Sequence, residues 1–379
     1  MRKILKVFIS LLFVLILVLF FGTRIYKQAV PAFSPSEESD VQNYVYLSED
    51  TVILDETLPE EELLKQLEKA ISERAEHLVI RDHPLFEWND LLSLDYSSFW
   101  LQEFGTATYP SSRLPEDRED HTLYFYEMTY YPLSEEEITK MKAEIDSAVN
   151  EILSAVPENA DIWEKTKAVH DMLCQRTEYD ETLVLPHCHN AYGALVNGKA
   201  VCSGYAAAFR ILMGKLGVEC SITVSEDHAW NHIDANTYES YIDVTWDDID
   251  ASEEEQEHIF YDFFGLTKEE VERIDMHTIL NGGEEEEITG EPAVFNYFRH
   301  EGLYMEEYDR EELIALLRRQ LQEEKELLSV RISEEGYETL RSLSGEELGE
   351  ILYEAGKGGY FYYWFNDDLC VLNIDPETD

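Results

Sequence analysis

The sequence predicts a mixed α+β protein that begins with a membrane helix. The uncharged run Val7–Thr23 has seventeen residues, which is just long enough for a helix to span a bilayer. A helical pattern of apolar residues starts near Cys202, and three short β-prone runs follow it within residues 218–246. From about residue 291 the chain has the pattern of a separate, small α+β unit. These three observations define the predicted fold class.

Basic residues before the apolar run indicate which side of the membrane the chain occupies. Arg2, Lys3 and Lys6 stand there. A basic N-terminal flank favours retention of that end in the cytoplasm. A cleaved signal peptide is the alternative, but Pro31 interrupts its small-residue cleavage candidate at residues 29–32. We therefore expect a single-pass protein of the cell membrane whose C-terminal bulk is extracytoplasmic.

The charge and composition of the chain exclude some classes of protein. Lys and Arg together number 29 against 80 Asp and Glu, and the net charge is -51. Such a surface repels phosphate backbones, so nucleic acid is not expected as a partner. A hydrophobic content of 44% is enough to bury a core. The five cysteines are an odd number and do not indicate a disulfide framework.

Changes in composition divide the chain into six predicted segments. The polar run SPSEESD at residues 34–40 indicates a stalk, and the acidic run NGGEEEE at residues 281–287 indicates a linker. The predicted segments are residues 1–27 for the cytoplasmic tip and transmembrane anchor, 28–58 for the stalk, 59–155 for an N-terminal α/β region, 156–280 for the core, 281–290 for the linker and 291–379 for the C-terminal α+β unit.

Capping residues and apolar spacing predict individual helices and strands. Ser134 with Glu137, and Asp161 with Glu164, form capping boxes at which helices begin. The other predicted elements are a helix from Pro59, a strand at Thr122–Tyr131, a helix from Cys202 with Gly217 as its C-terminal cap, strands at Val218–Val224, Ala229–Ile233 and Tyr241–Trp246, helices at about Arg310–Leu327 and Gly345–Tyr353, and a hairpin of Tyr360–Phe365 with Cys370–Ile374 that turns at Asn366–Asp368.

Cys202 stands at the predicted start of a helix, where thiolate chemistry is favoured. A thiol attacks a carbonyl as the thiolate, and an ordinary cysteine is mostly protonated at neutral pH. A helix N-terminus and a neighbouring imidazolium both favour the thiolate. The small residues Ser203, Gly204 and Ala206 allow close packing of the helix start. A buried structural cysteine is the alternative interpretation.

His228 and Asp243 are predicted to face each other across a hairpin. Their midpoint falls between Ala235 and Asn236, in a polar stretch that permits a turn. In that register the two residues are directly opposite and on one face. A carboxylate in this position holds an imidazole in one tautomer and stabilises its cation. A satisfied polar histidine and an exposed strand carboxylate are the alternatives.

Three blocks of sequence follow one another after the predicted start of the cysteine helix: GKAVCSGYAAAFRILMGKLGVEC (198–220), DHAWNH (227–232) and YIDVTWDD (241–248). In their order and spacing they resemble the motifs of the transglutaminase-like superfamily, in its bacterial branch of surface or secreted proteins. The helix and loop before the cysteine block, at residues 164–180 and 190–195, resemble that branch as well.

The resemblance implies a papain-like core, in which a cysteine-bearing helix packs on an antiparallel sheet that carries the histidine and the aspartate. It implies Cys202 as the nucleophile, His228 as the base and Asp243 as the residue that orients the base. The backbone N–H of Cys202 is one expected oxyanion donor, and the Tyr192 hydroxyl is another unless this tyrosine belongs to the core. The turn departs from the family, because residues 236–240 lack its usual Gly-Lys-Trp.

The sequence HCH at residues 187–189 is a dense cluster of possible metal ligands. Adjacent residues on a strand or loop rarely all face one ion, and no second CxxC or HxxxH pair completes a site in the sequence. The sequence therefore predicts no metal and no cofactor.

The predicted function is that of a membrane-anchored cysteine enzyme that transfers acyl groups from amide or peptide bonds outside the cell. Its expected partners are the membrane and a protein or peptide substrate, cell-wall and surface components included. Water resolves the acyl-enzyme in a protease or amidase, and an amine resolves it in a crosslinking transglutaminase. Hydrolysis is favoured because nothing in the sequence excludes water. The alternatives are a catalytically silent surface scaffold or binding module that kept the fold, and a protein dominated by ligand recognition in its C-terminal unit.

Overall fold

The computed structural model describes most of the chain from Thr51 onward, so that the last part of the predicted stalk (28–58) includes a strand of the first sheet, Thr51–Leu54. It covers residues 51–54, 60–81, 100–110, 122–225, 227–234, 239–248, 258–274, 276–279 and 295–376. The predicted membrane helix at Val7–Thr23 and the predicted linker at residues 281–290 lie outside these residues. Within the ranges given, no helix is both long and apolar enough to cross a membrane.

The N-terminal region forms a four-stranded sheet with one helix. The elements are β1 (Thr51–Leu54), α1 (Glu60–Ser72), β2 (His77–Arg81), β3 (Leu101–Pro110) and β4 (Thr122–Tyr130), and the strand order is β1-β2-β4-β3. Leu63, Leu67 and Ile71 of α1 are buried in a small hydrophobic cluster of their own. The helix predicted from Pro59 is confirmed as α1, and the strand predicted at Thr122–Tyr131 is confirmed as β4. The apolar spacing in α1 matches one helical face.

Helices and short strands come next and surround Cys202. Both predicted capping boxes are confirmed, at the helix starts that follow Ser134 and Asp161. Gly217, which was predicted to end the cysteine helix, has φ +74° one residue after the C-cap Leu216. The elements are α2 (Glu135–Ser154), α3 (Ile162–Arg176), β5 (Glu178–Tyr179), a π-helical turn (Gly193–Asn197), β6 (Lys199–Ala200) and α4 (Cys202–Lys215).

A second four-stranded sheet supports the cysteine helix α4. It contains β7 (Glu219–Val224), β8 (Ala229–Asp234), β9 (Glu239–Ile242) and β10 (Phe264–Leu266), which are antiparallel and in the order β10-β9-β8-β7. Helix α4 lies against β7 and β8. The buried Asn231 side chain of β8 donates to the Ala206 carbonyl of α4 at 3.0 Å. This hydrogen bond joins the helix to the centre of the sheet.

The predicted strand Tyr241–Trp246 is wrong at its C-terminal half. Strand β9 ends at Ile242, and a short helix, α5, follows at Val244–Asp247. Asp243 is the N-cap of this helix, and its Oδ1 accepts a hydrogen bond from the Trp246 backbone N–H at 3.2 Å. A capping aspartate favours helix initiation over strand continuation, which accounts for the early end of the strand.

The predicted register between β8 and β9 is also wrong, by two residues. Ile242 pairs with Asn231, whereas His228 directly opposite Asp243 requires Ile242 to pair with Ala229. The cause is that Asp234 pairs with Glu239, so the turn is centred one residue later than predicted. A shift of two residues preserves the face on which each side chain lies. His228 and Asp243 therefore remain on one side of the sheet, just beyond the ends of their strands.

The C-terminal unit is a third four-stranded sheet with helices and its own hydrophobic cluster. Two predicted boundaries are corrected: the first long helix ends at Gln322 rather than Leu327, and the hairpin turns at residues 367–370, because Asn366 pairs with Val371. The strands of this sheet lie in the order Tyr304–Met305, Leu328–Ile332, Val371–Asp375 and Tyr362–Asn366. The elements from α6 onward are α6 (Lys268–Arg273), α7 (Tyr297–His300), β11 (Tyr304–Met305), α8 (Arg310–Gln322), β12 (Leu328–Ile332), α9 (Glu334–Arg341), α10 (Gly345–Ala355), β13 (Tyr362–Asn366) and β14 (Val371–Asp375).

The start of this last region is packed into the main core. Phe295, Tyr297 and Phe298 belong to the same hydrophobic cluster as helix α4. The Trp163 indole N–H of α3 donates to the Phe295 carbonyl at 3.2 Å. Residues 295–303 are therefore part of the core, and the cluster of the C-terminal sheet starts at Met305.

Candidate active site

Cys202 is the first residue of α4, as the sequence predicts. Its predecessor Val201 is the N-cap, has extended backbone, and makes no side-chain capping hydrogen bond. The Val201 N–H donates to the Cys188 carbonyl at 2.9 Å, which ties the helix start to the loop before it. The half-buried thiol of Cys202 thus lies at a helix N-terminus, where the helix dipole favours an anion.

Gly204 allows this close packing. A Cβ at this position would lie 2.5 Å from the Cys188 carbonyl oxygen and 2.8 Å from the Ala200 Cβ. Both distances are shorter than real Cβ contacts, and the oxygen belongs to the backbone. Any larger residue at Gly204 would push the loop away from the first turn of α4 and displace the thiol.

His228 lies immediately before β8 and is buried. Its backbone N–H donates to Ser225 Oγ at 3.1 Å, and its ring Nε2 lies 2.6 Å from Asp243 Oδ2. The Cys202 thiol interacts with the same ring and raises its pKa. Because Nε2 faces the carboxylate, Nδ1 is the ring atom left for the thiol. The structure thus brings together Cys202, His228 and Asp243.

The charged forms of His228 and Asp243 stabilise each other. Burial opposes a charge on His228, but the Asp243 carboxylate and Cys202 together raise the pKa of His228 to about 10. Burial likewise opposes the charge on Asp243, yet the His228 and His277 rings hold the pKa of this carboxyl well below its usual range. The site therefore favours an imidazolium beside an ionised carboxylate at neutral pH.

His277 is a functional candidate that the sequence analysis missed. Its Nε2 lies 2.8 Å from Asp243 Oδ2, the same oxygen that faces His228. It follows α6 in an irregular segment, after Met276, whose φ is +70°. An isolated histidine in such a segment has no periodicity or motif around it, so the sequence offered no signal for its position.

The two candidate tyrosines differ in their surroundings. The Tyr192 hydroxyl donates to Glu144 Oε2 of helix α2 at 2.7 Å, so its proton is already held by a carboxylate. Tyr179, on β5, pairs with Ala200 two residues before the nucleophile. Burial raises the pKa of Tyr179, and the charges of Cys202 and Asp243 raise it further. Tyr179 is therefore a phenol that keeps its proton close to the thiol, and the sequence analysis did not single it out.

The side chains of HCH (residues 187–189) have three different sets of neighbours. His187 Nδ1 lies 3.3 Å from the Asn190 amide, and its ring lies 4.4 Å from that of Tyr131. Burial raises the pKa of Cys188 to about 12, and the Asp180 carboxylate contributes to the rise. His189 Nδ1 lies 3.5 Å from Ser203 Oγ. These partners hold the three residues in place around the cysteine helix.

Within the described part of the chain, His228, Asp243 and His277 form the group that can hold a metal ion. The Nε2 atoms of His228 and His277 lie 2.6 and 2.8 Å, respectively, from the same carboxylate oxygen, Asp243 Oδ2. Ligand atoms around a tetrahedral zinc lie ~3.3 Å apart, since each bond is about 2.0–2.1 Å. The observed separations are those of hydrogen bonds, so the arrangement fits protons between these groups better than an ion.

A second buried network joins helix α3 to the short helix α5. His170 is completely buried, with Nδ1 3.2 Å from Asp171 Oδ1 and Nε2 3.1 Å from Asp247 Oδ2. Burial opposes its charge, but the two carboxylates raise the pKa of His170 to about 9. Asp247 also accepts the Phe263 N–H at 3.0 Å. This network fixes helix α5, which carries Asp243.

Part of the chain is similar to known proteins. A family model described as the transglutaminase-like superfamily matches residues 147–251. No curated protein matches the chain. The predicted resemblance, made on residues 164–180, 190–195 and 198–248, is thus confirmed.

Some solved structures are similar at low identity. They include a TGase (15% identity over 52% of this chain and 59% of that chain, TM-score 0.26), menin in a structure that reveals its binding site for the Mixed Lineage Leukemia protein (18%, 44% and 33%, 0.25), and a proposed cysteine protease from Cytophaga hutchinsonii (12%, 38% and 65%, 0.24). The chain spans less than two thirds of the length of each.

Proposed function

We propose, from the transglutaminase-like domain that residues 147–251 form, that this protein is a cysteine acyl-transfer enzyme that acts on amide or peptide bonds. Cys202 is the nucleophile, His228 the general base and acid, and Asp243 the residue that orients the base. The observation that carries this proposal is the His228 ring, which lies 2.6 Å from the Asp243 carboxylate and whose pKa is raised by both Asp243 and Cys202.

The chemistry takes two half-reactions. The Cys202 thiolate attacks the carbonyl carbon of the substrate, and the tetrahedral intermediate collapses with cleavage of the C–N bond as His228 gives its proton to the leaving amine. A thioester remains on Cys202. Water then loses a proton to His228 and attacks the thioester, and the carboxylic acid leaves as Cys202 becomes a thiolate again.

The developing oxyanion has three candidate donors. The backbone N–H of Cys202 lies at a helix start, where N–H groups lack an intrahelical partner. The phenol of Tyr179 is the favoured side-chain donor. Burial and the charge of Cys202 raise its pKa, so that it keeps its proton. Tyr192 is the less favoured donor, since Glu144 accepts its hydroxyl proton. Donors aimed at a forming oxyanion supply a large part of the rate acceleration in acyl transfer.

Hydrolysis is the favoured outcome for the thioester, so the proposed enzyme is a protease or amidase rather than a crosslinking transglutaminase. The thiol of Cys202 is partly exposed, and water therefore has access to the acyl-enzyme. The triad itself serves either acceptor, because water and an amine both attack with a proton lost to His228.

The proposed location is the outer side of the cell membrane. The basic residues Arg2, Lys3 and Lys6 before the apolar run Val7–Thr23 support an anchor with its N-terminus in the cytoplasm. The acidic surface supports substrates that are peptides or cell-wall components rather than nucleic acids.

The proposed activity is tested with the full chain in detergent. It is incubated with a library of peptide electrophiles and with a library of fluorogenic peptide amides, with and without an added primary amine. The expected results are one covalent adduct, mapped to Cys202, and release of peptide acids. A peptide–amine product in place of the acid would reassign the enzyme to transamidation.

Cys202→Ala and Cys220→Ala are the matched pair of variants. The first is expected to lose both the adduct and the turnover, and the second to keep both. Adducts spread evenly over the five cysteines, with no turnover above that of Cys202→Ala, would contradict the enzymatic function and favour a surface scaffold.

A further inference from the structure

We infer that His277 is a positioning residue that holds the Asp243 carboxylate in place for His228. The inference rests on the proposed function of the same site. His277 is 34 residues away from Asp243 along the chain, yet its Nε2 lies 2.8 Å from Asp243 Oδ2. No part of the motif pattern at residues 198–248 includes this histidine.

The Asp243 carboxylate is held by three donors from three parts of the fold. Oδ1 accepts the Trp246 backbone N–H of helix α5. Oδ2 accepts the N–H of His228 at the start of β8 and that of His277 after helix α6. Two donors on Oδ2 and one on Oδ1 fix the plane of the carboxylate, so its orientation does not depend on His228 alone.

The surroundings of His277 make this hydrogen bond hard to replace. The residue is only 1% exposed. Its ring centroid lies 4.7 Å from those of both Trp230 and Trp246, and it stacks on Phe263 at 6.1 Å. In such an apolar enclosure a lost donor is not replaced by bulk water, so its removal leaves the carboxylate oxygen with an unmet hydrogen bond.

His277 also lies close to the catalytic imidazole itself. The centroids of the His277 and His228 rings are 4.9 Å apart, and their planes are inclined by 63°. Because both rings direct Nε2 at the same oxygen, each limits the directions from which the other can approach. His277 therefore keeps the His228 Nε2–H on the carboxylate and leaves His228 Nδ1 toward the thiol. This orientation directs the Nδ1–H of the imidazolium at the thiolate.

The test compares His277→Phe with His277→Gln in the full chain. Phenylalanine keeps the ring shape and removes the N–H, whereas the glutamine amide can still donate to Asp243. We expect kcat of His277→Phe to fall by about tenfold to a hundredfold with KM little changed, the size expected for loss of one hydrogen bond to a charged group. The pH midpoint of Cys202 alkylation is expected to move upward in the same variant. His277→Gln is expected to recover most of both.

His300→Phe is the control, because His300 stacks on Trp163 away from the cluster. It is expected to keep the wild-type kcat and alkylation profile. If His277 only fills space, His277→Phe keeps the wild-type rate and pH profile and His277→Gln is the weaker variant, and that result would overturn the inference. If the wild-type chain shows neither turnover nor selective labelling at Cys202, the proposed function fails instead.

A metal role for the same residues is decided by a further arm. Wild-type protein is treated with EDTA, dialysed and then supplied with Zn²⁺ alone. Activity unchanged by EDTA supports hydrogen bonding by His277. Loss of activity with EDTA and its recovery with Zn²⁺ would make His277 a metal ligand and would overturn the positioning role.

Discussion

The His228 ring lies nearly parallel to that of Trp230, with centroids 5.6 Å apart and planes inclined by 19°. Trp246 lies 5.7 Å from the same ring at 49°. The imidazole is thus enclosed by two indoles, which limit its rotation about χ2 while Asp243 holds Nε2. The orientation of the catalytic base is therefore set by packing as well as by hydrogen bonding.

The pH dependence of Cys202 alkylation tests the three-residue arrangement. Wild-type protein is expected to react with iodoacetamide well below pH 8, because the pKa of His228 is about 10 and its imidazolium persists beside the thiol. In His228→Ala the alkylation midpoint is expected to rise to about pH 8.5, the value of an ordinary cysteine. Asp243→Ala is expected to produce a smaller rise, because the imidazole remains.

The other cysteines serve as internal controls in the same experiment. Burial raises the pKa of Cys188 to about 12 and that of Cys174 well above its usual range, so both are expected to react slowly and without dependence on His228. Three superimposable Cys202 profiles in the wild type and the two variants, each with a midpoint near pH 8.5, would rule out the catalytic arrangement.

Tyr179→Phe separates oxyanion stabilisation from thiol activation. Alkylation forms no oxyanion, so the variant is expected to react with iodoacetamide at the wild-type rate. Hydrolysis of a peptide amide passes through an oxyanion, and kcat is expected to fall by about a hundredfold. Tyr192→Phe is the matched control, because Glu144 accepts its hydroxyl proton. A fall in turnover in Tyr192→Phe alone would transfer the role to that residue.

The buried carboxyl of Asp262 is expected to make the free energy of unfolding depend on pH. It is buried where the core meets the C-terminal sheet, and it accepts hydrogen bonds from the Asn366 and Asn373 amides at 3.0 and 3.1 Å. Burial and the charge of Asp247 raise its pKa to about 7, although both asparagines and Arg331 oppose the rise. The stability that this raised pKa gives is complete below pH ~4, the usual pKa of an aspartate in the unfolded chain, and is lost as the pH rises through about 7.

Asp262→Asn removes this dependence while it keeps an oxygen that can accept both amides. The variant is expected to be more stable than the wild type at pH 8.5 by about 1 kcal/mol or more, or about 2–4 °C in Tm for a domain of this size. At pH 5 the two proteins are expected to differ little. The measurement is thermal unfolding at both pH values, and an equal difference at pH 5 and pH 8.5 would contradict it.

Limited proteolysis tests how the C-terminal unit is joined to the core. Cleavage is expected at residues 281–290, the predicted linker. The two fragments are expected to elute together in gel filtration, because residues 295–303 are packed in the core and Asn373 is bonded to Asp262. Cys202 is expected to label at the wild-type rate in this nicked complex. Fragments that separate without denaturant would contradict the observed packing.

Protease shaving of intact cells tests the predicted topology. Residues 28–379 are expected to be released from the outer surface, since basic residues precede the apolar run Val7–Thr23. A cytoplasmic protein followed in the same samples reports on lysis. Protection of the domain until the cells are lysed would reverse the orientation.

Local signals in the sequence determined most of the secondary structure. The capping boxes at Ser134 and Asp161 begin helices because each pairs a side-chain acceptor with a glutamate three residues on. The apolar face of α1 and the small residues after Cys202 likewise predicted elements that are observed. Each of these features acts within a few residues of chain, so the sequence alone is sufficient to identify it.

The motif order predicted which residues meet, but not how they meet. Cys202, His228 and Asp243 were selected from the sequence, and the structure brings them together. The two-residue shift between β8 and β9 was not predictable, because register depends on a turn whose length the sequence of residues 235–238 does not specify. The helical cap at Asp243 was missed because its apolar neighbours Val244 and Trp246 also fit a strand.

Tertiary structure alone decided the parts of the site that come from distant segments. His277 reaches Asp243 only because the chain returns past β10 and α6, and an isolated histidine carries no local signal of such a return. The position of residues 295–303 in the core follows from apolar packing on Trp163 and Phe264, which no spacing in the sequence records. Hydrophobic burial is non-directional, so the sequence determines which residues are buried, while the folded chain decides which of them are neighbours.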